Sequence, residues 1–158
     1  MMTELTVRPV APGDAPALQV NCWPAQLEAA VSVFISDVLR RTSHDLAWGV
    51  VALRDGIAIG YGQIARWARV GEISDLIVAE AWRSQGIGTA IIKHLLDIAQ
   101  QKGMQQVEIG AHLANEGALR LYRRLGFVDQ REVTMLLAGG PQTVIMLSLD
   151  LNSLSKSA

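Results

Sequence analysis

Several features of secreted, membrane-spanning and nucleic-acid-binding proteins are missing from this sequence. Cys22 is the only cysteine, so no disulfide can form within the chain. No apolar run is long enough to span a bilayer, and the start of the chain has no signal-peptide core. The 14 basic residues are balanced by 15 acidic ones, which leaves no basic excess for nucleic acid. We therefore expect a cytoplasmic protein that binds neither nucleic acid nor membrane.

Metal-binding patterns and internal repeats are also missing. The three histidines, His44, His94 and His112, share no spacing typical of metal ligands, so we expect no metal site. There is no internal repeat and no low-complexity segment. A chain of 158 residues suits one domain with a sizeable core. We predict a single domain over residues 1–151, followed by a serine-containing, frayed tail over residues 152–158.

The most informative stretch runs from Gly71 to Gln101, where a strand pattern, a glycine-rich turn and an amphipathic helix follow one another. The apolar residues form a nearly continuous run, typical of a strand covered on both faces, and then recur at helical spacing: Ile73, Leu76, Ile77 and Val78, then Ile87, Ala90, Ile91, Leu95 and Ile98. Gly86 and Gly88 remove two side chains where the helix begins, so unpaired backbone N–H groups can approach a ligand closely. Such a helix N-terminus favours phosphate.

The glycine pair does not fit the two best-known phosphate-binding patterns. A dinucleotide-binding fold would have a third glycine at the position of Ile91, and a P-loop would close with Gly-Lys-Ser/Thr. What remains is Arg83-x-x-Gly86-x-Gly88 between strand and helix. This pattern resembles the acyl-coenzyme A pyrophosphate loop of the GNAT superfamily of N-acetyltransferases.

A second segment resembles the second motif of the same superfamily, Asn-x-x-Ala-x-x-Leu-Tyr-x-x-x-Gly-Phe. The sequence matches at every defined position: Asn115, Ala118, Leu121, Tyr122, Gly126 and Phe127. One helix and one strand separate the two motifs, as in the family. The close resemblance covers Ile73 to Phe127, about a third of the chain. Glu80 and Ser84 depart from the proline and glycine that the family often has there, but neither change removes a backbone donor.

The resemblance implies an α/β fold, a three-layer α/β/α arrangement around a mixed, mostly antiparallel β-sheet of about six to seven strands. Apolar patterns predict strands besides the central one at Leu5–Val10, Leu46–Leu53, Ile57–Trp67, Val107–Ala111 and Thr143–Leu149. Asp14 is a candidate N-cap for a first helix, and an amphipathic pattern over residues 27–41 predicts a second. Asp55-Gly56 predicts a tight hairpin turn.

The resemblance also implies that acetyl-coenzyme A is the co-substrate and that its acetyl group passes to a primary amine by direct attack on the thioester. The central strand would hold the pantetheine arm and the turn would bind the pyrophosphate, with contacts from Leu76, Ile77, Val78, Arg83, Ser84, Gln85, Gly86, Ile87, Gly88, Thr89, Asn115 and Tyr122. The Arg83 side chain either adds charge at the phosphates or lies in solvent. Cys22 lies outside both motifs with no histidine nearby, which is typical of a buried thiol rather than a nucleophile.

Tyr122 is the candidate general acid. By resemblance it faces the coenzyme sulfur and protonates the leaving thiolate. It also lies on the apolar face of its helix with Ala118, Leu121 and Leu125, a pattern that equally suits a tyrosine of the core. Reference pKa values of ~10 for tyrosine and ~8.5 for a thiol make full proton transfer uphill by ~2 kcal/mol. We therefore expect hydrogen bonding to the developing thiolate to matter more than complete proton donation.

Three residues compete for the role of general base. Asp75 is the first choice, because several relatives carry a carboxylate there, while Ser74 occupies a position where some members have a catalytic glutamate. Strict alternation would place Glu72 on the face opposite Asp75 unless a bulge intervenes, as it commonly does in this family. His112 follows the next strand and could point toward the same cleft.

The acceptor is a small-molecule or peptide amine that the sequence does not identify. Acidic residues that could form an approach for a cationic amine are Glu28, Asp37, Asp45, Glu72 and Asp75. In the family the first helical region, which here includes Trp23 and Pro24, forms one wall of the acceptor site, although Trp23 would serve equally as a packing residue. The resemblance leaves a homodimer open.

A non-catalytic sensor or regulatory module that binds acyl-coenzyme A is the alternative to an enzyme. Such a module would keep the glycine loop but lose the tyrosine and the base. Because Tyr122 and Asp75 are both present, the sequence favours the enzyme.

Overall fold

A computed structural model describes residues 4–152 of the chain. Within this range it contains seven strands and four α-helices, in the order β1 Leu5–Pro9, α1 Ala15–Cys22, α2 Glu28–Ser43, β2 Ala47–Arg54, β3 Ile57–Trp67, β4 Val70–Val78, α3 Ile87–Gln101, β5 Gln106–His112, α4 Glu116–Arg124, β6 Val128–Leu137 and β7 Gly140–Asp150. Single 3-10 turns at Pro12–Asp14 and Glu80–Trp82 precede α1 and α3. The tail predicted for residues 152–158 lies, apart from Asn152, outside the described residues.

The strands form one mixed sheet in the order β1-β2-β3-β4-β5-β7-β6. Among residues 4–152 only the β4–β5 pair is parallel, and α3 makes the crossover between these two strands. The predicted mixed, mostly antiparallel sheet is thereby confirmed. Asp55 and Gly56 both have positive φ angles, 52° and 82°, as a tight hairpin turn between β2 and β3 requires.

One strand, β6, was not predicted from the sequence. Polar residues follow one another from Asp129 to Glu132, and the apolar residues Met135, Leu136 and Leu137 after them are consecutive rather than alternating and are exposed. The pairing of β6 with β7 at the sheet edge makes it a strand. A strand that is held by backbone pairing and buries little need not show the alternation of apolar and polar residues that predicts strands.

Helices cover both faces of the sheet. Tyr61 of β3 contacts Trp23, just after α1, and Phe34 of α2, with ring centroids 5.6 Å apart in each case. On the opposite face, a Cβ atom at Gly62 would lie 2.6 Å from Cγ2 of Ile91 in α3, so only glycine lets that helix pack so closely. Consecutive residues of a strand point to opposite faces, which places α1 and α2 on one side and α3 on the other.

The start of the first helix differs in part from what the sequence predicts. Asp14 does precede α1, but its side chain makes no capping bond to the helix. Its carboxylate instead accepts two hydrogen bonds from Arg8 and one from the Ala11 N–H, each 2.8 Å long. Burial alone would raise the pKa of Asp14, but these hydrogen bonds outweigh it and lower the pKa.

The amphipathic helix predicted over residues 27–41 is confirmed as α2. It buries Val31, Ile35 and Val38, whereas Leu27 precedes the helix and is exposed. Across residues 4–152 no helix combines the length and the hydrophobicity needed to cross a membrane.

Candidate active site

The parallel strands β4 and β5 separate partway along their length. They pair only where residues 70–73 meet residues 106–109. Beyond that point Ser74–Val78 has β3 as its neighbour on one side and no strand on the other. A cavity of about 670 Å³ opens there, which we call the inter-strand cleft. Leu76, Ile77 and Val78 are half-buried because they line this cleft, so the strand predicted to be covered on both faces is open on part of its length.

The residues predicted to bind coenzyme converge on the inter-strand cleft. It is lined by β4, by the turn and first residues of α3, and by α4: Leu76, Ile77, Val78, Trp82, Arg83, Ser84, Gly86, Ile87, Gly88, Thr89, Asn115, Gly117, Ala118, Arg120, Leu121, Tyr122 and Arg124. Of the predicted set only Gln85, which is exposed, does not line it. The cleft thus joins the two sequence motifs in one place.

The turn before α3 has the backbone shape that its glycines require. Gly86 is the N-cap of α3 with φ 81°, and no side chain caps the helix there. Ser84 also adopts a left-handed conformation, with φ 63°, which explains why glycine suits this position in relatives. The first N–H groups of α3 therefore have no side-chain partner at the N-cap and lie at the cleft, an arrangement that favours an anion.

Three arginines line the same cleft. The Nε of Arg83 donates a 3.1 Å hydrogen bond to the carbonyl of Val78, which ties this side chain across the turn while its charge lies at the cleft. Arg120 and Arg124 lie four residues apart on α4, so they share a helix face. Both were absent from the residues predicted to bind coenzyme, as was Trp82, although the spacing of the two arginines within the second motif was a usable signal.

Asn115 has a structural role besides lining the cleft. It is the N-cap of α4, and its Oδ1 accepts a 3.1 Å hydrogen bond from the Ala118 N–H. From the sequence, a contact with the pantetheine arm was predicted for this residue. Its role as the N-cap of α4 was not predicted. The cap explains why a short polar side chain stands at the start of the second motif.

Replacing the cap should weaken the fold measurably. Asn115→Ala removes the acceptor for the Ala118 N–H and is expected to lower the free energy of unfolding by about 1 kcal/mol. Urea denaturation measures this change. Asn115→Ser keeps a capping oxygen and is the control, expected to stay close to the parent protein. Equal losses in both variants would contradict the capping role.

Tyr122 belongs both to the core and to the cleft. It is 7% exposed, its ring centroid lies 6.3 Å from that of Phe127, and it is one of the cleft residues. Burial raises the pKa of its hydroxyl, so the group stays protonated at neutral pH and can donate a hydrogen bond.

A β-bulge decides where Asp75 lies. Ser74 pairs with Gln63 and Ile77 with Tyr61, so β4 has one residue more than β3 between these two pairs. Asp75 takes a left-handed conformation within the bulge, with φ 55°. The extra residue sets Asp75 toward α2, on the side where Tyr61 contacts Phe34. Burial, with a smaller effect of the Asp75 charge, raises the pKa of Tyr61.

Asp75 lines a second cavity, of about 300 Å³, between the bulge and the first helical region. We call it the acceptor cavity, and its other lining residues are Trp23, Gln26, Ala30, Val31 and Phe34. Asp75 lines this cavity and the next residue, Leu76, lines the inter-strand cleft. The bulge of β4 therefore contributes adjacent residues to the two cavities.

The other candidates for the base lie outside both cavities. Glu72 is half-buried in β4 on the N-terminal side of the bulge, where it pairs with Ala65 of β3 and Glu108 of β5. His112 is exposed at the end of β5. Neither lines the acceptor cavity or the inter-strand cleft. Of the three candidates, only Asp75 lines one of the two cavities.

The remaining predicted acidic residues and Cys22 contribute little to the site. Asp37 pairs with Arg40 at 2.6 Å and Asp45 with Lys102 at 3.0 Å, so both carboxylates already have cationic partners away from the acceptor cavity. Burial raises the pKa of the Cys22 thiol to about 11, which makes it a poor nucleophile. Within residues 4–152 no group of three acidic, histidine or cysteine side chains is arranged to hold a metal ion.

Residues 16–127 match the family model described as the acetyltransferase (GNAT) family. The chain belongs to the GNAT family. Over 64 residues it is 39% identical to an uncharacterised N-acetyltransferase of Methanocaldococcus jannaschii, a match that covers 40% of this chain and 28% of that protein. Over 116 residues it is 27% identical to glucosamine 6-phosphate N-acetyltransferase 1 of Oryza sativa subsp. japonica, covering 73% of this chain and 68% of that protein.

Solved structures of acetyltransferases have the same fold as this chain. A ribosomal L7/L12 alpha-N-protein acetyltransferase in complex with coenzyme A superposes with a TM-score of 0.83 at 15% identity, covering 94% of this chain and 95% of the other. The matched part of this chain spans only 28–38% of the first curated GNAT relatives. The family assignment therefore rests on the model matched over residues 16–127.

Proposed function

We propose that this GNAT protein transfers an acetyl group from acetyl-coenzyme A to a primary amine. The observation that supports this best is that adjacent residues of the β4 bulge line two cavities, Leu76 the inter-strand cleft and Asp75 the acceptor cavity. The pyrophosphate lies at the N-terminus of α3, near the three arginines, and the pantetheine arm runs along the unpaired part of β4. The thioester then reaches the bulge, where an amine in the acceptor cavity can attack it.

The chemical step needs no covalent intermediate on the enzyme. The amine nitrogen forms a bond to the thioester carbonyl carbon, the carbon–sulfur bond breaks, and coenzyme A leaves as a thiolate. Asp75 takes the proton that the amine loses, directly or through a water molecule. The Tyr122 hydroxyl donates a hydrogen bond to the thiolate, which the buried position of this residue strengthens.

Removing the Tyr122 hydroxyl should slow the chemistry without impairing binding. Tyr122→Phe keeps the ring and its contact with Phe127, so the fold and coenzyme affinity should survive. We expect the turnover number to fall by ~10-fold or more, with little change in the Michaelis constant for acetyl-coenzyme A. Steady-state assays of thiol release measure both constants. Native turnover in Tyr122→Phe would leave the residue with a packing role only.

The same assay separates an enzyme from a sensor. A sensor would bind acetyl-coenzyme A, which calorimetry detects, but would release no thiol with any amine. The enzyme releases thiol in proportion to acetylated amine, which mass spectrometry confirms. We expect the second result because Tyr122 lines the inter-strand cleft and Asp75 lines the acceptor cavity.

A further inference from the structure

The walls of the acceptor cavity are largely apolar and mutually supported. The rings of Trp23 and Phe34 meet edge-on with centroids 5.6 Å apart, and each contacts the fully buried ring of Tyr61 at the same separation. Val31, which is 3% exposed, adds aliphatic surface. At about 300 Å³ the cavity lies at the lower end of small-molecule sites, so it has room for about one aromatic or large aliphatic group.

The cavity carries a single charge. Asp75 is its one ionisable lining residue, and no lysine or arginine of the described chain lines it. Arg41, whose charge acts on the Tyr61 hydroxyl, is not among the lining residues. A ligand with one positive charge therefore finds one partner, whereas a phosphate or carboxylate group would find only a like charge.

We propose that the acceptor is a monocationic primary amine with an apolar, preferably aromatic, group close to the nitrogen and no anionic group beside it. The inference rests on the proposed acetyl transfer. The ammonium group pairs with Asp75 and the apolar group lies against Trp23 and Phe34. A free arylalkylamine and a peptide with an apolar N-terminal residue both present this chemistry.

The chemistry of the cavity argues against three other kinds of amine. The phosphate of an amino sugar phosphate, the substrate named for the rice relative, would have no basic partner in the cavity. A polyamine would place a second ammonium group among the aromatic rings without a carboxylate. A free amino acid would bring its own carboxylate next to Asp75. Each therefore brings a charge for which the lining residues offer no partner of opposite sign.

A panel of acceptors tests the proposal through thiol release, with rates expressed per neutral amine so that basicity does not bias the comparison. We expect kcat/KM for 2-phenylethylamine to exceed that for ethanolamine by about 10-fold or more, because the apolar group is buried. Phenylalanine amide should exceed phenylalanine by a similar factor. A Phe-Gly-Gly amide peptide, compared with 2-phenylethylamine, distinguishes the peptide source from the free amine.

A charge added to the cavity should change this selectivity in a defined direction. Ala30 and Ala29 are both exposed on α2, but only Ala30 lines the cavity. Ala30→Glu supplies a second carboxylate and is expected to raise the kcat/KM ratio of cadaverine to 2-phenylethylamine by about 10-fold or more. Ala29→Glu adds the same charge to the same helix and should leave the ratio unchanged.

The outcomes separate this inference from the function on which it rests. A preference for glucosamine 6-phosphate or spermidine over 2-phenylethylamine would overturn the inference and leave acetyl transfer standing, as would equal ratios in the Ala29→Glu and Ala30→Glu variants. If calorimetry shows acetyl-coenzyme A bound but no amine of the panel releases thiol, the proposed function falls and the inference with it. The expected rank order with the Ala30→Glu shift supports both.

Discussion

Gly86→Asp is expected to abolish measurable binding of acetyl-coenzyme A while the protein stays folded. A Cβ atom at Gly86 would meet no other atom within 4 Å, and aspartate tolerates the left-handed φ of 81° better than most residues. The new carboxylate would lie where the pyrophosphate is proposed to bind. Two like charges about 4 Å apart repel by about 4 kcal/mol near a protein surface, so the affinity should fall by about 100-fold or more.

The opposite end of α3 offers a matched control for this variant. Gly103 has φ 74°, and a Cβ atom there would also meet nothing within 4 Å, but it does not line the inter-strand cleft. Gly103→Asp thus adds the same side chain at the same backbone conformation. Isothermal calorimetry should show native affinity in Gly103→Asp, and an intermediate loss in the uncharged Gly86→Asn. Native affinity in a folded Gly86→Asp protein would move the pyrophosphate away from this turn.

Asp75→Asn is expected to lower the acetylation rate by about 100-fold at pH 7, within the range that general bases contribute. An alkylamine with pKa ~10.4 is neutral in only about one molecule in 2,500 at pH 7, a handicap of ~4.6 kcal/mol. A proton acceptor at the site offsets part of this handicap. As pH rises the amine loses its proton unaided, so the difference between variant and parent should narrow toward high pH.

Full pH–rate profiles of the three candidates for the base test this expectation. Asparagine tolerates the left-handed φ of 55° at position 75, so the bulge should persist in Asp75→Asn. Glu72→Gln and His112→Ala change groups that line neither cavity and should keep the parent profile. An Asp75→Asn profile that superimposes on the parent at every pH would remove Asp75 from the mechanism, and a selective loss in Glu72→Gln would reassign the base.

Prediction from the sequence worked best where a function depends on neighbouring residues of the chain. The strand, turn and helix around Gly86 follow from backbone chemistry, because phosphate binding at a helix N-terminus needs small residues at that point. The same holds for the second motif, since Asn115 caps a helix that brings Tyr122 to the cleft about two turns later. The family model over residues 16–127 confirms the assignment that these motifs suggested.

Prediction failed where the signal was weak or was interpreted too simply. Most residues of strand β6 are exposed, so the sequence showed no alternation of apolar and polar residues that would have predicted it. Asp14 stands where an N-cap belongs, but the charge of Arg8 attracts its carboxylate more strongly than a neutral backbone N–H of the helix does. The continuous apolar run of β4 predicted two covered faces, whereas part of it lines an open cleft. Hydrophobic side chains look the same in a sequence whether protein or ligand covers them.

The sequence by itself determined the family, the order of the elements in the central motif and most residues of the inter-strand cleft, because these depend on contiguous residues. Only the tertiary structure decided that Asp75, and neither Glu72 nor His112, lines one of the two cavities. That outcome depends on one extra residue in β4 relative to β3, and a bulge is a property of strand pairing rather than of either strand alone. The acceptor cavity likewise depends on long-range packing of Trp23 and Phe34 against Tyr61, which no local pattern encodes.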